Sequence, residues 1–143
     1  MKKLVYLITF GVAAAITASP IVAYATNGLR DDGFQTPTRN IHCTIFEDEG
    51  LLRCDIIKNR AKLPPKPKDC DLDWGNAFGM GLTGAAQRAC HGDTIVAGTN
   101  PVLGYGKTWR KGGFTCTSKT TGLTCTNRDK KGWEISQTKQ RLF

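Results

Sequence analysis

The sequence predicts a mainly β protein: a small, antiparallel, disulfide-stapled domain with two cysteine-bridged hairpins and at most one short helix. Three observations support this fold class. The chain of 143 residues contains six cysteines. Two pairs of β-prone runs flank loops that end in glycine. Four glycines interrupt residues 74–89, the one segment where a helix is possible, and glycine disfavours helix interiors.

The N-terminus has the organisation of a secretory signal peptide. Two lysines precede an apolar run over residues 4–22, and residues 23–25, Ala-Tyr-Ala, form a small-x-small cleavage site. We expect cleavage before Thr26. A retained membrane anchor is the alternative, although the run barely reaches the roughly 20 apolar residues that a membrane span requires.

Cleavage divides the chain into a signal peptide (1–25), a flexible N-terminal segment (26–33) and a single disulfide-stabilised β domain (34–143). The signal peptide carries two lysines and no acids, so the mature net charge is +8 − 2 = +6. All six cysteines lie in the mature part. An even number of cysteines in an exported chain predicts a disulfide framework.

The first hairpin is predicted from residues 40–46 and 51–57, which flank a four-residue loop ending at Gly50. Counting outward from the loop places Cys43 opposite Cys54. Side chains that face each other directly across two strands lie about 4.5–5.5 Å apart at Cβ, close enough for a disulfide.

The same pattern recurs near the C-terminus. Residues 114–117 and 123–126 flank a loop at residues 119–122, and Cys116 then faces Cys125. The two hairpins share an apolar-x-Cys-Thr strand, a loop that ends in glycine and a Leu-x-Cys strand, which indicates a weak internal repeat.

Cys70 and Cys90 remain and pair by elimination. Residues 61–68 are rich in proline and lysine and predict an extended, polyproline-like segment. Residues 94–96 and 133–136 predict two further strands.

Taken together, these residues resemble a family of small exported bacterial domains of unknown function. The motifs that carry the resemblance are Phe34-x-Thr36-Pro37-x-x-Asn40-Ile41-x-Cys43, Arg53-Cys54-Asp55-Ile56, Cys70-x-Leu72-Asp73-Trp74-Gly75, Cys90-x-Gly92-Asp93-Thr94, Pro101-Val102-Leu103-x-Tyr105-Gly106, Trp109-Arg110-x-Gly112-Gly113-Phe114-Thr115-Cys116 and Gly122-Leu123-x-Cys125-x-Asn127. Arg39 and residues 131–133 depart mildly from the pattern. The resemblance implies one exported domain, and it transfers no catalytic or binding residue.

The strongest functional hint is a set of cations near tryptophans, which suits anionic polymers or glycans. The predicted anion- or glycan-binding residues are Lys107, Trp109, Arg110, Lys111, Arg128 and Trp133. They predict a non-enzymatic binding module of the envelope or extracellular space. We expect a monomer with no cofactor, no metal and no nucleic-acid partner.

Two other functions are considered. An inhibitor of a secreted protein would use the loop at residues 119–122. A small hydrolase would need His91 and Asp93, but these residues also fit a simple turn. Residues 69–73 place an aspartate at every second position, yet they lack the later glycine and carboxylate of a calcium-binding EF-hand loop.

Overall fold

The computed structural model describes residues 32–143, which form two five-stranded antiparallel β-sheets. The predicted signal peptide and most of the predicted flexible segment lie outside the described residues. The strands are β1 (Gly33–Gln35), β2 (Ile41–Phe46), β3 (Leu51–Ile56), β4 (Asp73–Gly81), β5 (Gln87–His91), β6 (Thr108–Lys111), β7 (Phe114–Lys119), β8 (Gly122–Thr126), β9 (Gly132–Ile135) and β10 (Gln140–Leu142). Within residues 32–143 the only helical element is one 3-10 turn, Glu47–Glu49, so the mainly β prediction is confirmed.

Each sheet is a meander in which every strand pairs with the next along the chain. Strands β1–β5 form the first sheet and β6–β10 form the second. The inner faces of the two sheets contribute to one buried hydrophobic cluster, so they pack as a two-layer sandwich.

Both cysteine hairpins form with the predicted register. Cys43 lies opposite Cys54 between β2 and β3, and Cys116 lies opposite Cys125 between β7 and β8. The second turn is tighter than predicted, because position 119 still pairs with Gly122 and leaves two turn residues instead of four.

Residues 74–89 contain no helix. They belong mostly to β4 and β5, which pair with a register shift between Asp73 and Ala77. Gly75 lies at this irregularity with a φ of +100°, a value that favours glycine. The Leu63 side chain occupies the space that a Cβ of Gly75 would need, so the proline-rich segment packs directly on β4.

Residues 94–96 also differ from the prediction, because they form no strand. The Thr94 hydroxyl and the Ile95 amide donate hydrogen bonds of 3.2 and 3.1 Å to the Asp55 carboxylate on β3. Further along, the Gln35 amide donates to the Pro101 carbonyl, and the Leu103 amide donates to the Gln35 carbonyl. Residues 93–103 therefore form a strap held by side-chain contacts and by the edge strand β1.

A band of aromatic rings and disulfides crosses the centre of the sandwich. Each sheet contributes one row of register partners, running aromatic, cysteine, cysteine, aromatic. The rows are Phe34–Cys43–Cys54–Phe78 in the first sheet and Trp109–Cys116–Cys125–Trp133 in the second.

The two rows lie against each other. The Phe34 and Trp109 ring centroids are 5.2 Å apart, and those of Phe78 and Trp133 are 6.1 Å apart. Between these pairs, the sulfurs of Cys43, Cys54 and Cys125 all lie within 4.8 Å of one another, so the two central disulfides are in contact. Sulfurs held in disulfides are not thiolates, so their proximity reflects core packing and not a metal site.

The third disulfide, Cys70–Cys90, joins the end of the proline-rich segment to β5. Its position is peripheral, because Cys90 is exposed whereas the four central cysteines are fully buried.

Replacing each bridge by two alanines and comparing the losses of unfolding free energy distinguishes the packing contribution from the cross-linking contribution. Loop entropy alone gives about 2.8 kcal/mol for the 11-residue Cys43–Cys54 separation and about 3.3 kcal/mol for the 20-residue Cys70–Cys90 separation. We expect the reverse order in urea unfolding, because C43A/C54A also leaves a cavity in the core. A larger loss of unfolding free energy in C70A/C90A would contradict the central role of the band.

Candidate functional site

A cleft of about 810 Å³ opens at one end of the sandwich, where turns from both sheets meet. Its walls come from the β1–β2 turn, the chain after β3, the β7–β8 turn, the β9–β10 turn and Tyr105. This volume falls in the range of small-ligand sites. Four exposed cations line it: Arg39, Lys58, Lys119 and Lys139.

Arg39 is held by an unusual turn. Its φ of +55° lies in the left-handed region, which residues other than glycine rarely adopt. The Arg39 amide donates to the Thr36 carbonyl at 2.8 Å, and the buried imidazole of His42 donates to the Arg39 carbonyl at 3.0 Å. These two bonds fix the backbone of Arg39 at the wall of the cleft.

Lys58 is positioned by one amide side chain. The Lys58 backbone N–H donates to Asn40 Oδ1 at 2.7 Å, and Asn40 Nδ2 donates to the Lys58 carbonyl at 3.1 Å. This paired contact joins the β1–β2 turn to the chain after β3, so it fixes the two segments of the cleft wall relative to each other.

Lys139 sits in a turn closed by Ser136. The Ser136 amide donates to the Lys139 carbonyl at 2.8 Å, and the Lys139 amide donates to Ser136 Oγ at 3.0 Å. Lys119 ends β7 and pairs in the ladder with Gly122. A Cβ at Gly122 would lie 2.6 Å from the Ile135 carbonyl oxygen, so only glycine allows β8 and β9 to approach this closely.

Tyr105 stands at the tip of a turn anchored to β7. The Gly106 amide donates to the Ser118 carbonyl at 2.7 Å, and the Ser118 amide donates to the Lys107 carbonyl at 3.0 Å. The tyrosine side chain keeps 46% of its surface exposed. The cleft therefore carries one accessible aromatic ring on a well-bonded turn.

The charged side chains that line the cleft are all positive. Its lining includes no Asp or Glu, and within residues 32–143 its four cations form no ion pair. Glu134 lies on β9 nearby, and its pKa is lowered, first by the hydrogen bond from Arg141 and then by the charge of Lys139, with a smaller effect of Lys119.

The surface predicted from sequence does not assemble as one site. Lys107, Arg110 and Arg128 are exposed. Lys111 instead forms ion pairs of 2.7 and 3.2 Å with Asp32 and Glu47, which partly neutralise it.

The two tryptophans belong to the central band. Trp133 is fully buried, so its selection as a surface binding residue is wrong. Trp109 is half-buried against Phe34 and serves chiefly as a packing residue. Large aromatic side chains supply much of the apolar area that so small a core can bury.

His91 and Asp93 do not form an acid–base pair. His91 Nδ1 lies 2.7 Å from the backbone carbonyl of Asp93, not from its carboxylate. That carboxylate instead accepts a hydrogen bond of 3.0 Å from Arg53. Arg53 also binds the buried carboxylate of Asp55, so this network fastens the strap to the first sheet.

The sequence did not reveal the cleft because its cations are 19 to 100 residues apart in the chain. The signal that could have found it was positional, since a cation lies in or beside each of several predicted turns. In a meander sandwich, alternate turns meet at the same end of the molecule.

The fold defines the chain as a small β-sandwich domain stabilised by three disulfides. Residues 13–143 match a family of unknown function, DUF6636. Since this match covers nearly the whole sequence, the chain belongs to that family. Comparisons with curated proteins and with solved structures find no significant match. In the described part of the chain, no helix has the length and apolar character needed to cross a membrane.

The hydrogen bonds of Arg53 to Asp55 and Asp93 predict that removing the two carboxylates lowers the free energy of unfolding by unequal amounts. Burial alone would lower the pKa of Arg53, but its bonds to Asp55 and Asp93 outweigh this effect and raise it. Asp55→Ala should cost about 3 kcal/mol, since it leaves a guanidinium that is only 13% exposed without its buried partner. Asp93→Ala, whose side chain is 81% exposed, should cost much less.

Urea unfolding of the two variants measures this difference. The hydrogen bond from Arg53 lowers the pKa of Asp93 below 3.8, so its small contribution is present above pH 3.8 and disappears as the pH falls through the lower folded-state value. Equal losses in both variants at neutral pH would contradict the network described.

Proposed function

We propose that this protein is an exported, non-enzymatic binding module that holds an anionic polymer or glycan in the cleft at the end of the sandwich. The observation that carries the proposal is the convergence of four exposed cations on a concave surface without a carboxylate. Charge of one sign in a cleft concentrates the field and favours ligands of the opposite sign.

The turns around the cleft support this function because hydrogen bonds within the protein hold them. Hydrogen bonds within the protein fix the backbone at Arg39, Lys58 and Lys139. Preorganised groups lose less conformational entropy on binding, so more of the electrostatic attraction contributes to affinity. A lysine ammonium is a point charge on a flexible four-carbon stem, which suits a ligand with repeated charges better than one of fixed geometry.

The cleft is a better candidate than the sequence-predicted surface. In that surface Trp133 is buried in the core, Trp109 is half-buried and one lysine forms ion pairs, whereas all four cations of the cleft are exposed. The non-enzymatic assignment is supported by the cleft lining, which contains no imidazole, carboxylate or thiol to act as a general base.

Export is supported by the three disulfides, which are typical of proteins that fold in oxidising compartments. The proposed signal peptide, residues 1–25, would direct the domain to the periplasm, the envelope or the medium.

Export predicts a defined N-terminus. N-terminal sequencing of protein recovered from the extracytoplasmic fraction of a secreting bacterial host should begin at Thr26, since signal peptidase recognises the small residues before it. Substitution of the cleavage-site alanines Ala23 and Ala25 by lysine should retain the longer chain. Recovery of wild-type protein that still begins at Met1 would contradict the proposal.

The anion-binding proposal is tested with three variants that each remove three positive charges. K58Q/K119Q/K139Q neutralises the lysines of the cleft. The controls are K62Q/K66Q/K68Q in the proline-rich segment and K107Q/R110Q/R128Q on the sequence-predicted surface. The probes are dextran sulfate and neutral dextran, which share one backbone and differ in charge.

The wild type should bind dextran sulfate in a salt-sensitive manner and bind neutral dextran weakly. The cleft variant should lose about tenfold or more in affinity at low salt, and each control about threefold or less. Equal losses in all three variants would show that net charge alone attracts the polymer, and the cleft proposal would fail.

Glu134→Gln supplies the opposite change in the same assay. It removes a negative charge beside Lys139 and should raise the affinity for dextran sulfate. In the wild type the affinity should rise only below pH 4.5, because the lowered pKa keeps Glu134 ionised above that value. The rise should be absent in E134Q.

A further inference from the structure

We infer that the ligand of the cleft is an oligosaccharide whose sugar rings carry acidic groups, with Tyr105 as the platform on which one ring stacks. This inference rests on the proposed function and deepens it. It separates an acidic saccharide from a bare polyanion such as polyphosphate, which the four cations alone would attract equally well.

The first observation is the aromatic ring. Tyr105 is 46% exposed although its turn is bonded to β7 on both sides, so the backbone presents the ring to the cleft. The β-turn glycine that follows, Gly106, has a φ of +76°, which this tight turn requires. A rigid aromatic side chain gains affinity by covering an apolar face, and it loses little entropy in doing so. Sugar rings offer such a face of C–H groups, whereas polyphosphate has none.

The second observation is an apolar part of the same cleft lining. Ile57 lines the cleft and is 49% exposed, whereas Ile41, the first residue of β2, also lines it but is buried. A site for a purely ionic ligand has no use for an exposed isoleucine, since burying apolar area against a hydrated ion gains nothing. A ligand with both charged and apolar parts covers both kinds of surface.

The third observation is the chemistry of the remaining lining. Thr38, Thr120, Thr121 and Thr138 bring hydroxyl groups, and Gln137 brings an amide. Hydroxyls and amides both donate and accept hydrogen bonds. A bare polyanion offers only acceptors, so half of this capacity would be unused. Sugar hydroxyls donate as well as accept and match the lining.

Arg39 fits the acidic group. Its guanidinium is planar and binds a carboxylate or a sulfate through two parallel N–H bonds. The left-handed backbone and the bond from His42 hold this residue beside the threonine-rich turn, so one ligand can meet the fork and the hydroxyls together.

The test compares Tyr105→Ala and Tyr105→Phe in the mature chain, with three probes. Oligogalacturonate carries carboxylates on sugar rings, sulfated dextran oligosaccharide carries sulfates on sugar rings, and inorganic polyphosphate carries charge without sugar. Y105A should weaken both saccharides about tenfold and polyphosphate by less than twofold, whereas Y105F should bind all three like the wild type. The ratio of the two saccharide affinities identifies the acidic group.

A second readout does not depend on affinity. After removal of residues 1–25, Tyr105 is the only tyrosine left, so tyrosine-selective isotope labelling gives one set of ring resonances. Stacking on a sugar should shift these resonances in K62Q/K66Q/K68Q, which keeps the cleft intact, as strongly as in the wild type. Polyphosphate should shift them little.

The outcomes separate the two proposals. If no probe binds, or if K58Q/K119Q/K139Q binds every probe like the wild type, the proposed function itself fails. Suppose instead that all probes bind through the lysines, and that Y105A weakens saccharide and polyphosphate binding equally or weakens neither. The anion-binding proposal then stands, and the saccharide inference is overturned.

Discussion

The contact between the two central disulfides is the constraint on which the rest of the molecule depends. Cys43–Cys54 and Cys116–Cys125 each lock the register of one hairpin, and their sulfurs meet in the middle of the core. A slip of one residue in either hairpin would turn its cysteines to the outer face, so each bridge excludes that alternative. The flanking pairs extend the same contact across both sheets: Phe34 with Trp109 joins the edge strands β1 and β6, and Phe78 with Trp133 joins β4 and β9.

This band explains how a domain of modest size becomes stable enough to carry an open cleft. Small domains bury a limited fraction of their surface, so covalent bridges commonly supplement the core. Here the bridges are also core residues, since all four central cysteines are completely buried. Stability therefore comes from the middle of the sandwich, and the turns at its end can hold exposed cations without being needed for packing.

Much of the fold could be predicted from sequence because it depends on local spacing. Two hairpins with facing cysteines follow from the distance of each cysteine to its turn, and the third pair, Cys70–Cys90, follows by elimination. The β4–β5 hairpin was not predicted, because glycines that weaken a helix also weaken a strand signal. The strap was read as a strand because Thr94 and Ile95 are β-prone, yet their bonds go to the Asp55 side chain.

The binding surface was harder to predict, for a physical reason that concerns tryptophan. A tryptophan beside a lysine or arginine in sequence suggests a ligand site, but alternation along a strand sends neighbours to opposite faces. Trp109 points inward against Phe34, whereas Arg110 next to it points out. The aromatic residue that does remain accessible beside the cations is Tyr105, which lies on a turn and is free of that alternation. Side chains in the turns are not needed for core packing, so the turns are the part of this fold that can contact a ligand.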